Sequence, residues 1–125
     1  MTRPENRQRI LICDDDDALI FWLHERLTAN GFDVQTTSQG DQALAAFQEK
    51  RPFDFVISDY QFLPGRRIKD GLGLVNAIRQ IDPNQTIIVH TGEKGLKAPC
   101  PVVYKPYPFE RMLQCLKKPV EPRLF

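Results

Sequence analysis

The fold is decided by residues 9–17, an apolar run that stops at four acidic residues: Arg9-Ile10-Leu11-Ile12-Cys13-Asp14-Asp15-Asp16-Asp17. A short apolar run without polar alternation indicates a strand buried on both faces, and such strands are typical of parallel sheets covered by helices. Residues 32–37, 53–58, 86–89 and 101–104 form four further strand-like runs. We therefore expect five strands, most of them buried on both faces.

Helical patterns alternate with these runs. Ser38, with Asp41 three residues later, resembles a capping box at the start of the second helix. Apolar residues recur at helical spacing in four segments, namely Ile20, Leu23 and Leu27; Ala43, Leu44 and Phe47; Leu74, Ile78 and Ile81; and Phe109, Met112, Leu113 and Leu116. This alternation predicts an α/β fold, a doubly wound sandwich with right-handed crossovers.

The connection between the fourth and fifth strands departs from this alternation. The connection consists of only ten residues, 91–100, which include two glycines and a proline. A crossover between parallel strands normally needs a dozen residues or more. We expect the fourth helix to be short or absent.

Composition excludes several classes of protein. The chain has 125 residues, which suits one domain, and its 17 basic against 16 acidic residues argue against nucleic-acid binding. The longest apolar run, residues 18–23, is far too short to span a membrane, and residues 1–9 lack the apolar core of a signal peptide. Cys13, Cys100 and Cys115 lack the spacing of a metal or redox site, which favours reduced thiols in a cytoplasmic protein.

Polar residues follow the strands at the sheet edge where ligands bind in such folds. They are Asp14 and Asp15 after the first strand, Asp59 after the third, Thr91 after the fourth and Lys105 after the fifth. Each alone has a structural explanation, as a helix cap, a turn former or a solvated charge. Five at corresponding positions are better explained by a common site.

The carboxylates impose a requirement on that site. Two carboxylates 4 Å apart repel by about 4 kcal/mol at an effective dielectric constant of 20. Such a group takes up a proton or holds a cation, and oxygen ligands favour Mg²⁺, Mn²⁺ or Ca²⁺. A divalent cation beside an isolated carboxylate, a hydroxyl and a lysine is the equipment of phosphoryl transfer.

With these residues in view, the chain resembles the receiver domain of two-component response regulators. The matching segments are residues 10–16 (ILICDDD), 54–60 (DFVISDY), 70–74 (DGLGL), 89–92 (VHTG) and 104–107 (YKPY). The resemblance covers nearly the whole chain and implies a flavodoxin-like sheet with strand order 2-1-3-4-5. It makes residues 1–125 a single receiver domain, with a core over about 9–118 and a loose tail at 120–125. On that assignment, these residues leave no room for an output domain.

The resemblance also implies a role for each site residue. Asp59 would be the phosphoacceptor, and Asp14, Asp15, Asp59 and the backbone carbonyl of Gln61 would hold Mg²⁺ or Mn²⁺. Thr91 and Lys105 would contact the phosphoryl oxygens, Gly92 would leave room for the phosphoryl group, and Pro106 would follow a cis peptide bond. The donor would be a histidine kinase or a histidine phosphotransfer protein. The chain would be a signalling phosphoacceptor, a monomer or weak dimer, and no enzyme towards other substrates.

Two departures from the family pattern affect the output of such a domain. The long segment between Asp59 and Gly71 carries Arg66, Arg67 and Lys69 and is either a solvated insertion or a docking loop for an acidic partner. Val102 occupies the position of the usual switch aromatic, and Tyr104 either replaces that aromatic or only packs in the strand. The altered output region keeps open a receiver-like interaction module that works without phosphorylation.

A small phosphatase of the haloacid dehalogenase type is a less favoured alternative. Asp14 and Asp16, or Asp15 and Asp17, satisfy the D-x-D pattern of such enzymes, but the chain is short for the further motifs that they need. His24 and His90 lack metal-ligand spacing, and we assign no function to either. The kinase, the downstream target and the pathway are not determined by the sequence.

Overall fold

The sheet has five parallel strands in the order β2-β1-β3-β4-β5, as the sequence predicts. The computed structural model describes residues 7–117. The predicted tail at 120–125 and the predicted end of the core at residue 118 lie outside these residues. The elements are β1 (Arg9–Cys13), α1 (Asp17–Ala29), β2 (Asp33–Thr37), α2 (Gly40–Lys50), β3 (Phe55–Asp59), α3 (Gly71–Ile81), β4 (Ile87–Thr91), β5 (Val102–Tyr104) and α4 (Phe109–Lys117).

Two apolar layers enclose the sheet. Side chains alternate along each strand, so Leu11 and Cys13 of β1 face α2 and α3, whereas Ile10 and Ile12 face α1 and α4. All four side chains are fully buried. Each aliphatic side chain buried in this way contributes about 1.5–3 kcal/mol to folding. The continuous apolar runs noted in the sequence thus supply both layers at once.

Helix caps differ from the sequence prediction at one position. Asp16 caps α1 by accepting from Leu19 N at 3.2 Å, and Asp70 caps α3 by accepting from Gly73 N at 2.9 Å. The predicted Ser38–Asp41 capping box is wrong, because the N-cap of α2 is Gln39, without a side-chain cap bond. The Asp41 carboxylate turns instead towards the loop that follows β3.

The described residues 92–101, which connect β4 to β5, form no helix, in agreement with the prediction of a short or absent one. Between β4 and β5 the described chain forms turns and extended segments, with Gly95 at a positive φ of 80°. Arg79 of α3 donates from Nη1 to the carbonyl of Pro99 at 2.7 Å, and Leu96 packs against the α2/α3 layer. These contacts hold the connection against α3 and the α2/α3 core layer without a helix of its own.

The loop of residues 60–70 is not a simple solvated insertion. Phe62 and Ile68 are 7% and 4% exposed and join the α2/α3 core. The Asp41 carboxylate accepts three backbone N–H groups of this loop, from Arg66 and Ile68 at 2.8 Å and from Arg67 at 3.2 Å. The loop is therefore anchored to α2, while the side chains of Arg66 and Arg67 remain exposed.

Asp41→Asn is expected to loosen this loop. Hydrogen bonds from the N–H groups of Ile68, Arg66 and Arg67 lower the pKa of Asp41, although some desolvation opposes this shift. The ionised carboxylate therefore stabilises the folded state at pH values above the ordinary aspartate pKa. That stabilisation is lost as the pH falls through the lowered pKa. We expect several-fold faster amide exchange at residues 66–68 in the variant at neutral pH. Glu49→Gln, which removes a charge from the exposed end of α2, serves as control, and unchanged exchange in Asp41→Asn would contradict the anchoring role.

Candidate functional site

The carboxyl ends of β1, β3, β4 and β5 bring the predicted site residues to one edge of the sheet. Asp14 directly follows β1, while Asp59 and Thr91 are the last residues of β3 and β4. Lys105 follows β5, and its backbone N–H donates to the carbonyl of Thr91 at 2.8 Å. The convergence follows from parallel strands ending at one edge.

Three carboxylates gather at this edge. Asp14, Asp15 and Asp59 each offer an oxygen, and these oxygens lie within 4.8 Å of one another. Asp14 is fully buried and the Asp59 side chain is 13% exposed, whereas Asp15 faces solvent. The ammonium Nζ of Lys105 lies 3.0 Å from Oδ2 of Asp14 and 3.4 Å from Oδ2 of Asp59. One lysine therefore bridges the two less exposed carboxylates.

A cavity of about 440 Å³ opens beside Asp59. Thr91 is 3% exposed, and its Oγ1 accepts from Glu93 N at 3.0 Å. A side chain at Gly92 would start in open space, without a heavy atom within 4 Å. The lining residues are Asp59, Gln61, Thr91, Gly92, Glu93 and Lys105. The cavity thus joins the predicted acceptor, hydroxyl and lysine, and adds Glu93, which the sequence reasoning did not single out.

The pKa values of the two buried carboxyls move in opposite directions. Burial favours the neutral form of Asp14, but the His90 ring, the N–H of Asp16 and the Lys105 ammonium together lower its pKa below the ordinary range. Burial and the Asp14 charge raise the pKa of Asp59, and the Lys105 ammonium, the His90 ring and the Tyr60 N–H oppose this shift only in part. Asp14 is thus held ionised, and Asp59 is the carboxylate whose charge is poorly compensated.

The donor set fits a hard divalent cation. Carboxylate oxygens are the ligands that Mg²⁺ and Mn²⁺ prefer, and Mg²⁺ typically binds one or two carboxylates together with waters and a phosphate. Burial is the main cause of the raised pKa of Asp59, and the Asp14 charge is the second; a cation among these oxygens would offset both. The residues present therefore fit the predicted Mg²⁺ site.

Gly71 allows α3 to approach the backbone of Asp59, the predicted phosphoacceptor, closely. Its N–H donates to the carbonyl of Tyr60 at 2.6 Å, and a Cβ at this position would collide with the carbonyl oxygen of Asp59 and approach Cα of Tyr60 to 2.7 Å. The first turn of α3 therefore packs directly on the strand end that carries Asp59. Tyr60 N in turn donates to Oδ1 of Asp59 at 2.8 Å, which orients the carboxylate.

Sequence reasoning missed His90. This residue of β4 is fully buried, and its Nε2 lies 2.8 Å from Oδ2 of Asp14, at an angle too bent for a regular hydrogen bond. Its Nδ1 lies 2.8 Å from the hydroxyl of Tyr107. The only available signal was a polar residue inside an apolar strand run, next to the predicted site residue Thr91.

The remaining predicted residues do not line the cavity. The peptide bond between Lys105 and Pro106 is cis. Arg66, Arg67 and Lys69 belong to the loop anchored by Asp41, and Nζ of Lys69 donates to the carbonyl of Gly65 at 2.8 Å. Val102 packs against the α2/α3 core, and Tyr104 is half-buried opposite Thr91 in the sheet register.

Comparison with known proteins identifies the family. Residues 10–123 match the response regulator receiver domain. The DNA-binding transcriptional regulator NtrC of Salmonella typhimurium is 38% identical over 85 residues, which are 67% of this chain and 17% of NtrC. The chain therefore belongs to the receiver domains of two-component response regulators, which are signalling domains, and this assignment displaces the haloacid dehalogenase alternative.

Solved structures agree with the fold. A response regulator receiver protein from Sinorhizobium medicae superposes with a TM-score of 0.81 at 24% identity, covering 91% of this chain and 94% of that one. The response regulator TrrA from Thermotoga maritima, solved in complex with Mg²⁺-BeF, gives a TM-score of 0.78 at 28% identity, with 89% and 97% covered. In the part of the chain that the structure describes, no helix is long and apolar enough to cross a bilayer.

Proposed function

We propose that this receiver domain accepts a phosphoryl group on Asp59 and signals through phosphorylation-dependent binding of another protein. The observation that carries the proposal is the surroundings of Asp59. Its carboxylate opens on a cavity lined by Thr91, with the Lys105 ammonium 3.4 Å away. The Asp59 carboxylate as nucleophile, the Thr91 hydroxyl and the Lys105 ammonium thus line the cavity that a phosphoryl group would enter.

In the proposed reaction, an oxygen of Asp59 attacks the phosphorus of a phosphohistidine on a kinase or phosphotransfer protein. The new O–P bond forms as the N–P bond breaks, and the electron pair stays on the donor imidazole, which takes a proton from solvent. Lys105 and Thr91 neutralise and orient the phosphoryl oxygens. A bound Mg²⁺ supplies charge neutralisation for the transferring group. Hydrolysis of the aspartyl phosphate resets the domain.

Mg²⁺ would be held by Asp14, Asp15 and Asp59 together with the carbonyl of Gln61, and Mn²⁺ suits the same ligands. The clustering of the three carboxylates supports this assignment. TrrA, which is 28% identical and was solved in complex with Mg²⁺-BeF, is a further support for a magnesium site. Gly92, at the cavity wall, would leave space for the phosphoryl oxygens.

The partners we propose are proteins. The chain spans 17% of NtrC, so the DNA-binding activity in that protein's name cannot be transferred to this domain. A net charge of +1 gives little general attraction for nucleic acid. The exposed Arg66 and Arg67, on a loop fixed to α2, are placed to meet an acidic partner surface. We place this signalling in the cytoplasm, with the domain a monomer or weak dimer.

The direct test is phosphorylation from a small donor. Incubated with MgCl₂ and acetyl phosphate, the protein is expected to gain the mass of one phosphoryl group, and EDTA is expected to abolish the gain because the transferring charge is no longer neutralised. Intact-protein mass spectrometry measures both. A gain that persists in EDTA would contradict the metal site.

Absence of any gain would favour an interaction module that works without phosphorylation. Two features favour this second candidate. Val102 occupies the position of the usual switch aromatic, and the described residues between β4 and β5 form no helix. Beryllofluoride with Mg²⁺ separates the two functions. The phosphoacceptor is expected to show shifted amide signals around Thr91 and Lys105, whereas the interaction module would show an unchanged spectrum.

A further inference from the structure

The phosphoryl chemistry proposed for Asp59 gives no role to the buried side chain of His90. His90 lies in β4 on the face of Ile88, which packs with α1 and α4, and it is fully buried. Its two ring nitrogens face different groups, Asp14 on one side and Tyr107 on the other. A buried imidazole between a carboxylate and a phenol is an arrangement that apolar packing does not require.

The contact with Tyr107 determines which ring nitrogen carries the hydrogen. Burial, and the charges of Asp14 and Asp59, raise the pKa of the Tyr107 hydroxyl well above its ordinary value, so this group keeps its proton. If the hydroxyl donates to Nδ1 at 2.8 Å, the ring hydrogen sits on Nε2, the nitrogen that lies 2.8 Å from Oδ2 of Asp14 in a bent contact. The opposite tautomer would place a lone pair against a carboxylate.

The ring of Tyr107 is itself held in place. It lies 5.9 Å from the ring of Trp22, centroid to centroid, and Trp22 packs edge-on against Phe109 of α4 at 6.1 Å. An aromatic cluster of this kind resists rotation of its members. The hydroxyl that fixes the imidazole is therefore carried by a well-packed ring.

Asp14 needs such a partner if the proposed function holds. Its Oδ2 is contacted by His90 at 2.8 Å and by Lys105 at 3.0 Å, while Oδ1 accepts from the N–H of Asp16 at 2.8 Å. When Lys105 turns to a phosphoryl group on Asp59, Oδ2 loses one of these two contacts. His90 remains, and the bend in its present contact leaves room for a better-directed bond once the lysine has moved.

We propose that His90 is a positioning residue, which holds Asp14 in its ligating orientation from inside the sheet while Tyr107 fixes its tautomer. The proposal rests on the proposed function for its purpose, but the contacts of His90 with Asp14 and Tyr107 can be tested without phosphorylation. Groups that orient a metal-ligating side chain typically change metal affinity by about 10–100-fold when removed. His90 would act on the cation only through Asp14.

The test uses ¹⁵N-labelled full chain and two measurements. The first is the ring ¹⁵N shifts of His90 without metal at mildly alkaline pH, where we expect a protonated Nε2 and an unprotonated Nδ1. The second is Mg²⁺ affinity, from amide shifts in a MgCl₂ titration. Tyr107→Phe keeps the ring packing, so it is expected to remove the tautomer preference and weaken Mg²⁺ binding several-fold without unfolding the protein.

Variants of His90 complete the test. His90→Phe is expected to weaken Mg²⁺ binding by about tenfold or more. His90→Gln, whose amide can still donate to Asp14, is expected to recover part of that loss. The second histidine of the chain supplies the control, since His24→Gln on the surface of α1 is expected to change neither measurement.

Two results would overturn the proposal. One is wild-type His90 with its hydrogen on Nδ1 or on both nitrogens. The other is Mg²⁺ binding in Tyr107→Phe and in folded His90 variants that equals wild type. Failure of the proposed function looks different, because Asp59 would then gain no phosphoryl group while the ring ¹⁵N shifts and the Mg²⁺ affinities still decide the role of His90.

Discussion

Asp59→Asn is expected to abolish the phosphoryl gain from acetyl phosphate while leaving the fold intact. The carboxamide is a poor nucleophile. Among the described carboxylates of this site, Asp14 is buried and paired with Lys105, and Asp15 faces solvent, so neither replaces Asp59. Lys105 keeps its contact with Asp14 in the variant. Loss of the gain should therefore be complete, measured by intact-protein mass spectrometry with MgCl₂ present.

The same substitution is expected to raise stability at neutral pH. Burial and the charge of Asp14 raise the pKa of Asp59 in the folded state, so the native protein binds more protons than the unfolded chain just above the ordinary aspartate pKa. Stability consequently falls as the pH rises through that window. The Asn side chain of the variant carries no charge, so the melting temperature of the variant should exceed that of the wild-type protein at neutral pH. The difference should vanish in acid, where Asp59 is also neutral.

Asp54→Asn is the matched control for both measurements. This residue precedes β3 at the opposite edge of the sheet, where its Oδ2 accepts from Arg9 N at 2.8 Å. Asp54→Asn should retain the full phosphoryl gain. Labelling that survives in Asp59→Asn would place the acceptor elsewhere, and a lower melting temperature in that variant would contradict the charge argument.

Gly71→Ala is expected to destabilise the protein and slow its phosphorylation. The added Cβ would collide with the Asp59 carbonyl and with Cα of Tyr60, and backbone atoms cannot rotate away as a flexible side chain can. Overpacking of this kind costs about 1–3 kcal/mol. Because the strain falls on Asp59 itself, its carboxylate should also be displaced from Lys105 and Thr91. Urea unfolding and the initial rate of labelling measure the two effects.

Gly73→Ala lies in the same turn of α3 and has the opposite expected sign. A Cβ there would lie 3.5 Å from Oδ1 of Asp70, an ordinary contact. Replacing a helical glycine by alanine gains about 0.5–1 kcal/mol because the unfolded chain becomes less flexible. The pair therefore separates helix propensity from close packing. Equal effects of the two substitutions on stability would refute the packing argument at Gly71.

The comparison of sequence and structure shows why some features were predictable. The lack of a helix between β4 and β5 followed from the count of residues 91–100, since the length that a crossover needs depends on chain geometry alone. The convergence of Asp14, Asp59 and Lys105 followed from the rule that parallel strands end at one edge. Neither inference required knowledge of how distant side chains pack.

The errors have a common cause. Asp41 has the sequence spacing of a helix cap, but in the fold its carboxylate meets three N–H groups of a loop some 25 residues away. Ile68 and Phe62 belong to a segment that was expected to be a solvated or docking loop, but both side chains are buried. The loop folds back on Gly40, and a side chain at that position would collide with both residues. Local spacing cannot reveal partners that only the tertiary fold supplies.

The sequence by itself determined the five strands, the sheet edge on which the charged residues meet and the acidic character of the site. It also determined that the described connection between β4 and β5 has no helix. These follow from periodicity, chain length and the common direction of parallel strands. The tertiary structure alone decided that Lys105 bridges Asp14 and Asp59, that Asp41 anchors a loop, and that His90 stands between Asp14 and Tyr107. Those contacts join residues far apart in the chain, and their geometry depends on how the helices pack on the sheet.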